Sequence, residues 1–191
     1  MITLMLASEL SGREVVTLGG DAVARIKDTV FDAGAGRITG FTLSGRGLLA
    51  GPLKRSLPFA AVHALGPAAV MIPSVDVLGD RAAVLGSDAA GRGPVIGAPV
   101  ITDQGTEVGT VRDVVVESGT EGLVIGFEIT AAGSSGGRRS KVFVPRGETL
   151  AVSGEALVVP ARARHFVAED LPSFGAQVEA FRSGAGEGGA A

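Results

Sequence analysis

Residues Gly12–Asp32 read GREVVTLGGDAVARIKDTVFD, and residues Gly97–Glu117 read GAPVITDQGTEVGTVRDVVVE. An offset of 85 positions, with no gap between the stretches, relates Gly20 in the first to Gly105 in the second. An internal repeat of this size predicts two copies of one small folding unit. The chain of 191 residues is long enough for two such units. We call them the first copy and the second copy.

The first copy alternates short apolar runs with Gly-rich turns, a pattern typical of β-strands. Its predicted elements are strands at Glu14–Leu18, Val23–Phe31, Arg37–Ser44, Lys54–Pro58 and Ala68–Ile72, a loop at Gly45–Pro52 and a helical turn at Ala60–Leu65. In the central strand, the alternation places Ile38, Phe41 and Leu43 on the inward face. Gly40 interrupts that strand, which indicates a bend or a bulge.

The second copy repeats these elements, with strands predicted at Pro99–Thr102, Val108–Glu117, Leu123–Thr130, Lys141–Pro145 and Ala156–Pro160. Short strands at regular spacing with Gly-rich turns between them indicate a small antiparallel barrel. The predicted fold class is therefore all-β, with two tandem small antiparallel β-barrels. A short helix at Ser173–Phe181 follows, with Ser173 as its N-cap, and a disordered tail begins at Ser183.

The repeat and the composition between its copies predict the domain boundaries. Ser87–Pro94 reads SDAAGRGP, which is typical of a linker. We predict a first domain at residues 1–78, a linker at 79–94, a second domain at 95–168, and a C-terminal segment with the helix and the tail at 169–191.

Composition excludes several classes of function. The chain has no cysteine, which rules out disulfides, thiolate catalysis and Cys-ligated metals. It has only two histidines, 17 basic and 20 acidic residues, and a net charge of −3. That balance does not supply the basic domain that nucleic-acid-binding proteins usually have.

No stretch of the sequence predicts insertion into a membrane. The longest apolar stretch, Pro58–Pro73, is interrupted by His63 and Gly66 and is shorter than the ~20 residues that a spanning helix needs. The first ten residues hold no basic residue before their apolar part, which argues against a secretory signal. We predict a cytoplasmic protein.

Both copies resemble the PRC-barrel domain, a family of small β-barrels. The residues that carry the resemblance are VARIKDTVFD, GRITGF and AVMIP in the first copy, and VGTVRDVVVE, LVIGF and ALVVP in the second. The family occurs in the cytoplasmic part of the photosynthetic reaction-centre H subunit, in a ribosome-maturation factor and in short stand-alone proteins. The resemblance implies docking modules rather than catalytic domains. This chain differs from the ribosome factor, which has another domain in place of the first copy.

Two aspartates recur at equivalent positions, Asp28 and Asp113, each after a basic residue. Paired carboxylates would suit general acid–base chemistry. However, each belongs to its own predicted barrel, and an Asp beside a turn commonly accepts hydrogen bonds from backbone N–H groups. We interpret both as structural.

Neither histidine has the neighbours of a catalytic or metal site. His63 lies in an apolar stretch, and we interpret it as a partly buried packing residue. His165 lies close to Arg162 and Arg164, which leaves a small basic cluster as the alternative to an exposed surface segment. We predict no catalytic, metal-binding or cofactor-binding residue.

Two basic clusters flank the corresponding long loops of the two copies. Their members, which are the candidate interaction residues, are Arg46, Lys54 and Arg55 in the first copy and Arg138, Arg139 and Lys141 in the second. Gathered on one face, they would attract RNA phosphates or an acidic partner. No aromatic residues interleave with them, unlike in proteins that stack single-stranded RNA. A solvated rim is the alternative.

The sequence thus predicts a non-enzymatic protein-interaction or adaptor module whose partner is another protein or a second copy of itself. The alternative is an RNA- or ribosome-associated factor. An enzyme would need a concave pocket with convergent polar groups, whereas barrels this small are filled by their own side chains. We expect no cofactor and no small-molecule substrate. What recurs in both copies builds the barrels, so a specific function is expected where the copies differ.

Overall fold

The fold is taken from a computed structural model, which describes residues 3–32, 35–47, 50–85, 95–133, 140–146, 152–153 and 156–185. The chain divides into two compact units. The first unit, which holds the first copy, comprises Met5–Ala90 and Val116–Val124. The second unit, which holds most of the second copy, comprises Met1–Leu4, Gly91–Val115 and Ile125–Ala191.

Strands dominate both units, and short helices and turns connect them. In chain order the strands are β1 (Leu4–Leu6), β2 (Glu14–Thr17), β3 (Ala22–Asp32), β4 (Arg37–Ser44), β5 (Pro52–Pro58), β6 (Ala64–Leu65), β7 (Ala69–Ile72), β8 (Gly79–Asp80), β9 (Pro99–Thr102), β10 (Glu107–Glu117), β11 (Val124–Ala131), β12 (Lys141–Pro145), β13 (Val152–Ser153) and β14 (Ala156–Val159). The helices are α1 (Arg81–Leu85) and α2 (Leu171–Ala185), and single 3-10 turns lie at Ala7–Leu10, Phe59–Ala61, Val75–Val77 and Ala161–His165.

The first copy forms one sheet with the strand order β6-β7-β2-β3-β4-β5-β8. Its pairs are antiparallel except β2 with β7, which are parallel, with Glu14 opposite Ala69 and Thr17 opposite Ile72. The sequence predicted only antiparallel pairing. The chain enters β7 from β6, which is antiparallel to it. The alternation of side chains along a strand does not specify the direction of the neighbouring strand, so the sequence pattern could not distinguish this parallel pair.

The second copy has the same strand order, β12-β11-β10-β9-β14-β13, and β1 also pairs with β10. Its closing pair, β9 with β14, is again parallel. The order β12-β11-β10-β9-β14-β13 thus corresponds to β5-β4-β3-β2-β7-β6, whereas among the described strands β8 beside β5 and β1 beside β10 each occur in one copy only. The predicted fold class, all-β with two tandem barrel-type domains, is confirmed.

The inward face of the central strand is as predicted in the first unit. Ile38, Phe41 and Leu43 are all buried. The register of β3 and β4 shifts beside Gly40: Val30 is opposite Gly40, but Phe31 is opposite Ile38. One extra residue on β4 is a β-bulge, which confirms the irregularity expected at this glycine.

A helix packs on the central glycine in each unit. In the first, Val84 of α1 is buried, and a Cβ on Gly40 would lie 2.8 Å from Val84 Cγ2. In the second, Phe174 of α2 is fully buried, and a Cβ on Gly126 would lie 3.0 Å from Phe174 Cε1 and closer to Cζ. Only glycine leaves room for these side chains, because its neighbours include backbone atoms that cannot move aside.

The same short connection leads into each helix. Gly79 and Asp80 pair with β5 as β8 before α1 begins. Ala168 pairs with Phe143 of β12 before α2 begins. Residues 79–85, at the start of the predicted linker, therefore form regular structure in the first unit. Residues 86–94 lie outside the described residues.

The predicted start and end of α2 are wrong. The helix begins at Leu171, and the backbone N–H of Ser173 donates to Asp170 Oδ1 at 2.7 Å. Asp170 is therefore the cap, and that backbone hydrogen bond holds the pKa of its carboxyl below the ordinary value of 3.8. The helix continues to Ala185, and Ser183, predicted as the start of a disordered tail, bonds Glu179 O within it. Residues 186–191 are outside the described part.

Candidate functional site

The basic cluster of the first copy makes contacts within its own unit. Arg46 donates from Nη1 to Ala22 O at 2.9 Å, and its Nε lies 3.9 Å from Glu14 Oε1. Arg55 donates from Nη2 to Leu78 O at 2.7 Å, which ties β5 to the segment before β8. Lys54 is exposed and has no hydrogen bond or ion pair with another described residue. Two of the three cations thus have internal partners.

Lys141 of the second copy lies beside a buried carboxylate. Its Nζ is 3.0 Å from Glu128 Oε2, and the side chain of Glu128 is only 7% exposed, compared with 62% for Lys141. The two charges are close, although their alignment does not meet that of a hydrogen bond. Removing the lysine would leave a buried carboxylate without a counter-charge. Arg138 and Arg139, the other predicted members, lie outside the described residues.

The repeated aspartates are held by local hydrogen bonds. In the first unit, Thr42 Oγ1 donates to Asp28 Oδ2 at 2.8 Å and accepts from Asp28 N at 3.1 Å. In the second unit, Asp113 is buried, and its Oδ1 accepts from the N–H of Val114 at 2.7 Å. These contacts agree with the structural interpretation of both residues.

The structure agrees with the sequence interpretation of one histidine and not with that of the other. His63 is exposed rather than partly buried, so its interpretation as a packing residue is wrong. Its neighbours Val62 and Leu65 supply the buried side chains at this point. His165 is exposed as expected. Arg162 does not join it in a free basic cluster, because its guanidinium stacks on the ring of Phe181 at 4.4 Å.

Among the described residues of the first unit, two large apolar side chains are exposed. Leu18 is 56% exposed and Val75 is 42% exposed. The N–H of Leu18 donates to Ile72 O at 2.9 Å, and Val75 follows three residues after Ile72, at the start of a 3-10 turn. Strand β2 and the end of β7 therefore bring the two side chains to the same end of the sheet.

The second copy uses the corresponding positions for internal contacts. Asp103 corresponds to Leu18, since its N–H donates to Val159 O at 3.0 Å just as Leu18 N–H donates to Ile72 O. Asp103 Oδ1 then accepts from Ala161 N at 2.9 Å. Arg162, two residues after the closing proline as Val75 is, stacks on Phe181. The exposed apolar pair is thus specific to the first copy.

The exposed pair was not predicted from the sequence, although the sequence holds a signal for it. The repeat alignment places Leu18 opposite Asp103, and an apolar residue opposite a charged one marks a position that the barrel does not require to be apolar. The first helix was missed in the same way. The pattern V-x-x-D-x-x-x-apolar occurs at Val77–Val84 and again at Val167–Phe174, directly before and into the two packed helices.

The part of the chain that the structure describes forms neither a metal-binding cluster nor a membrane-spanning helix. In the described ranges, no group of three or more His, Asp or Glu side chains is arranged to hold a metal ion. Within those same ranges, neither α1, α2 nor any 3-10 turn has the length and apolar character needed to cross a bilayer.

Comparison with known families gives a clear match. The family model of the PRC-barrel domain matches residues 2–85 and again residues 92–166, which is one match for each copy. Together the two matches cover most of the chain. A search of curated proteins finds no match.

Proposed function

Because this chain belongs to the PRC-barrel domain family, we propose that it is a non-enzymatic docking module whose first unit binds a protein partner. The exposed pair Leu18 and Val75 carries the proposal. Isolated exposed apolar residues are ordinary. Here, however, both lie at the same end of the sheet, at positions where the second copy has a capping aspartate and a stacked arginine.

The contacts of the basic clusters support a protein partner over RNA. RNA phosphates need cations that are free to meet them. Arg46, Arg55 and Lys141 already face a carboxylate or a carbonyl of their own unit. An RNA- or ribosome-associated role is the alternative function, and Lys54 is the one described member of the clusters without such a partner among the described residues.

Affinity capture with the full chain as bait, with and without nuclease, tests this function. We expect a protein that is recovered in stoichiometric amount whether or not nuclease is present. Recovery that disappears with nuclease, and that weakens in Lys54→Glu but not in Leu18→Asp, would contradict the proposal and favour the RNA alternative. A cytoplasmic location is expected for this module, and cell fractionation checks it.

A further inference from the structure

Two carboxylates flank the exposed pair. Asp21 follows Leu18 in the β2–β3 turn: Thr17 N donates to Asp21 O at 2.9 Å, and Asp21 N donates to Thr17 Oγ1 at 3.1 Å. Asp76 directly follows Val75. Both aspartates are exposed. We call Leu18, Asp21, Val75 and Asp76 the first-unit patch.

Within the described part of the chain, the side chains of Asp21 and Asp76 accept no hydrogen bond that the structure shows. Neither Asp21 nor Asp76 forms an ion pair with another residue of the described ranges. At an exposed site of this kind, an unpaired carboxylate favours a cationic partner close to the apolar contact. The patch therefore combines a small aliphatic contact with two negative charges.

The β2–β3 turn of the first-unit patch does not require the side chains of Leu18 and Asp21. In the second copy the four positions of the patch hold Asp103, Thr106, Arg162 and Ala163. Nevertheless, the backbone of the turn that holds Leu18 is bonded as in the second copy, since Thr102 N donates to Thr106 O at 2.8 Å and Thr106 N to Thr102 Oγ1 at 3.0 Å. This turn therefore forms with Leu18 and Asp21 or with Asp103 and Thr106.

We propose that the first-unit patch binds a protein segment in which an aliphatic residue is flanked by Lys or Arg. This partner chemistry rests on the proposed docking function and specifies it. The aliphatic residue would pack on Leu18 and Val75, and the flanking cations would face Asp21 and Asp76. Charge argues against the other occupants: RNA and anionic lipid would meet two carboxylates, and a second copy of this patch would bring like charges together.

A random dodecapeptide library displayed on phage, selected on the full chain, tests the partner chemistry without assuming a sequence. Peptides that contain an aliphatic residue beside Lys or Arg are expected to be enriched over an unrelated β-barrel bait. A synthetic enriched peptide should shift the amide NMR signals of Leu18, Asp21 and Val75. Failure to enrich any peptide, or enrichment of acidic ones, overturns the proposal.

Matched variants locate the binding. Leu18→Asp introduces the residue that the second copy has at this position and should lower the affinity for the peptide about tenfold. Ile96→Asp, which replaces an exposed aliphatic residue of the second unit, should leave that affinity unchanged. Asp21→Asn with Asp76→Asn should weaken binding and reduce its salt dependence. If Leu18→Asp is poorly folded by circular dichroism, the double Asn variant decides. Equal binding by all variants contradicts the patch.

The capture experiment and two further binding experiments distinguish failure of the peptide partner from failure of the docking function. If the Leu18→Asp variant still binds a partner that is recovered with nuclease present, the docking function stands and the assignment of the first-unit patch as its binding site is wrong. Co-sedimentation with phosphatidylcholine–phosphatidylglycerol vesicles that depends on Leu18 would assign the patch to lipid instead. A dimer in sedimentation equilibrium that Leu18→Asp dissociates would assign it to self-association. Either result overturns the peptide partner.

Discussion

Replacing Phe174 by alanine tests how the second unit is closed. The ring is fully buried, packs on Gly126 and lies 5.7 Å from the ring of Phe143, centroid to centroid. Phe→Ala in a core costs about 3–5 kcal/mol from lost burial and the cavity left behind. Here we expect a loss of about 4 kcal/mol or more in the free energy of unfolding. Gly126 has no side chain and Val144 contributes a backbone oxygen, so neither can move to fill the cavity that the ring leaves.

Urea unfolding followed by far-ultraviolet circular dichroism measures this loss, since the chain has neither Trp nor Tyr for fluorescence. Hydrogen exchange should show the weakened amides in β11 and β12. Glu179→Ala, on the exposed face of α2, is the control and should change the unfolding free energy by no more than about 0.5 kcal/mol. A loss below about 1 kcal/mol in Phe174→Ala would refute the packing argument.

A double-mutant cycle with Gly126→Ala sharpens the test. Alone, this substitution places a Cβ against the Phe174 ring and Val144 O, and overpacking of this kind costs about 1–3 kcal/mol. In the Phe174→Ala background the ring is gone and only the backbone contact remains. The second substitution should therefore cost less there. Strictly additive losses would mean that the ring and the glycine do not interact.

Three further substitutions probe polar contacts. Lys141→Met should lower the free energy of unfolding in urea by about 1–3 kcal/mol, because it leaves the buried Glu128 carboxylate without its counter-charge. Adding Glu128→Thr to the same chain should restore most of the lost stability. An unchanged free energy of unfolding in Lys141→Met alone would contradict the pairing. Thr42→Val should lower the free energy of unfolding by about 1 kcal/mol, since it removes the hydroxyl that donates to the Asp28 carboxylate and accepts from the Asp28 backbone N–H. An unchanged urea midpoint would mean that water takes over both hydrogen bonds of the lost hydroxyl. Asp170→Ala should lower the melting temperature at neutral pH. The folded carboxyl has a pKa below 3.8, so its contribution is lost as pH falls through that lower pKa, and the difference from the wild type should then narrow; a difference independent of pH would contradict this.

Period-2 alternation and turn chemistry predicted the longer strands of both copies, but not the short strands β1, β6, β8 and β13; β6 lies where a helical turn at Ala60–Leu65 was predicted. The strand Arg37–Ser44 has the predicted bounds, and β3 and β10 differ from prediction by one residue at the ends. These elements are decided locally, because the pattern of inward side chains and the Gly-rich turns both lie within a few residues. The repeat then extended each prediction from one copy to the other.

Features decided by distant residues were not predictable from local patterns. The short helix α1 has little helical periodicity of its own, and its packing depends on the space above Gly40, far away in sequence. The bonds of Arg55 with Leu78 O and of Arg46 with Glu14 likewise span many residues. The sequence therefore indicated that Arg46 and Arg55 were available to a binding partner, whereas in the fold both side chains have partners within their own unit.

The most direct test of the docking surface exchanges its residues for those of the second copy. The full chain with Leu18→Asp and Val75→Arg is compared with the wild type by calorimetric titration of the captured partner. We predict an affinity at least about tenfold weaker, with a nearly unchanged urea midpoint because both replaced side chains are exposed and substitutions at such positions usually change stability by no more than about 0.5 kcal/mol. Equal affinity in a folded variant would contradict the account, since it would place the docking surface elsewhere.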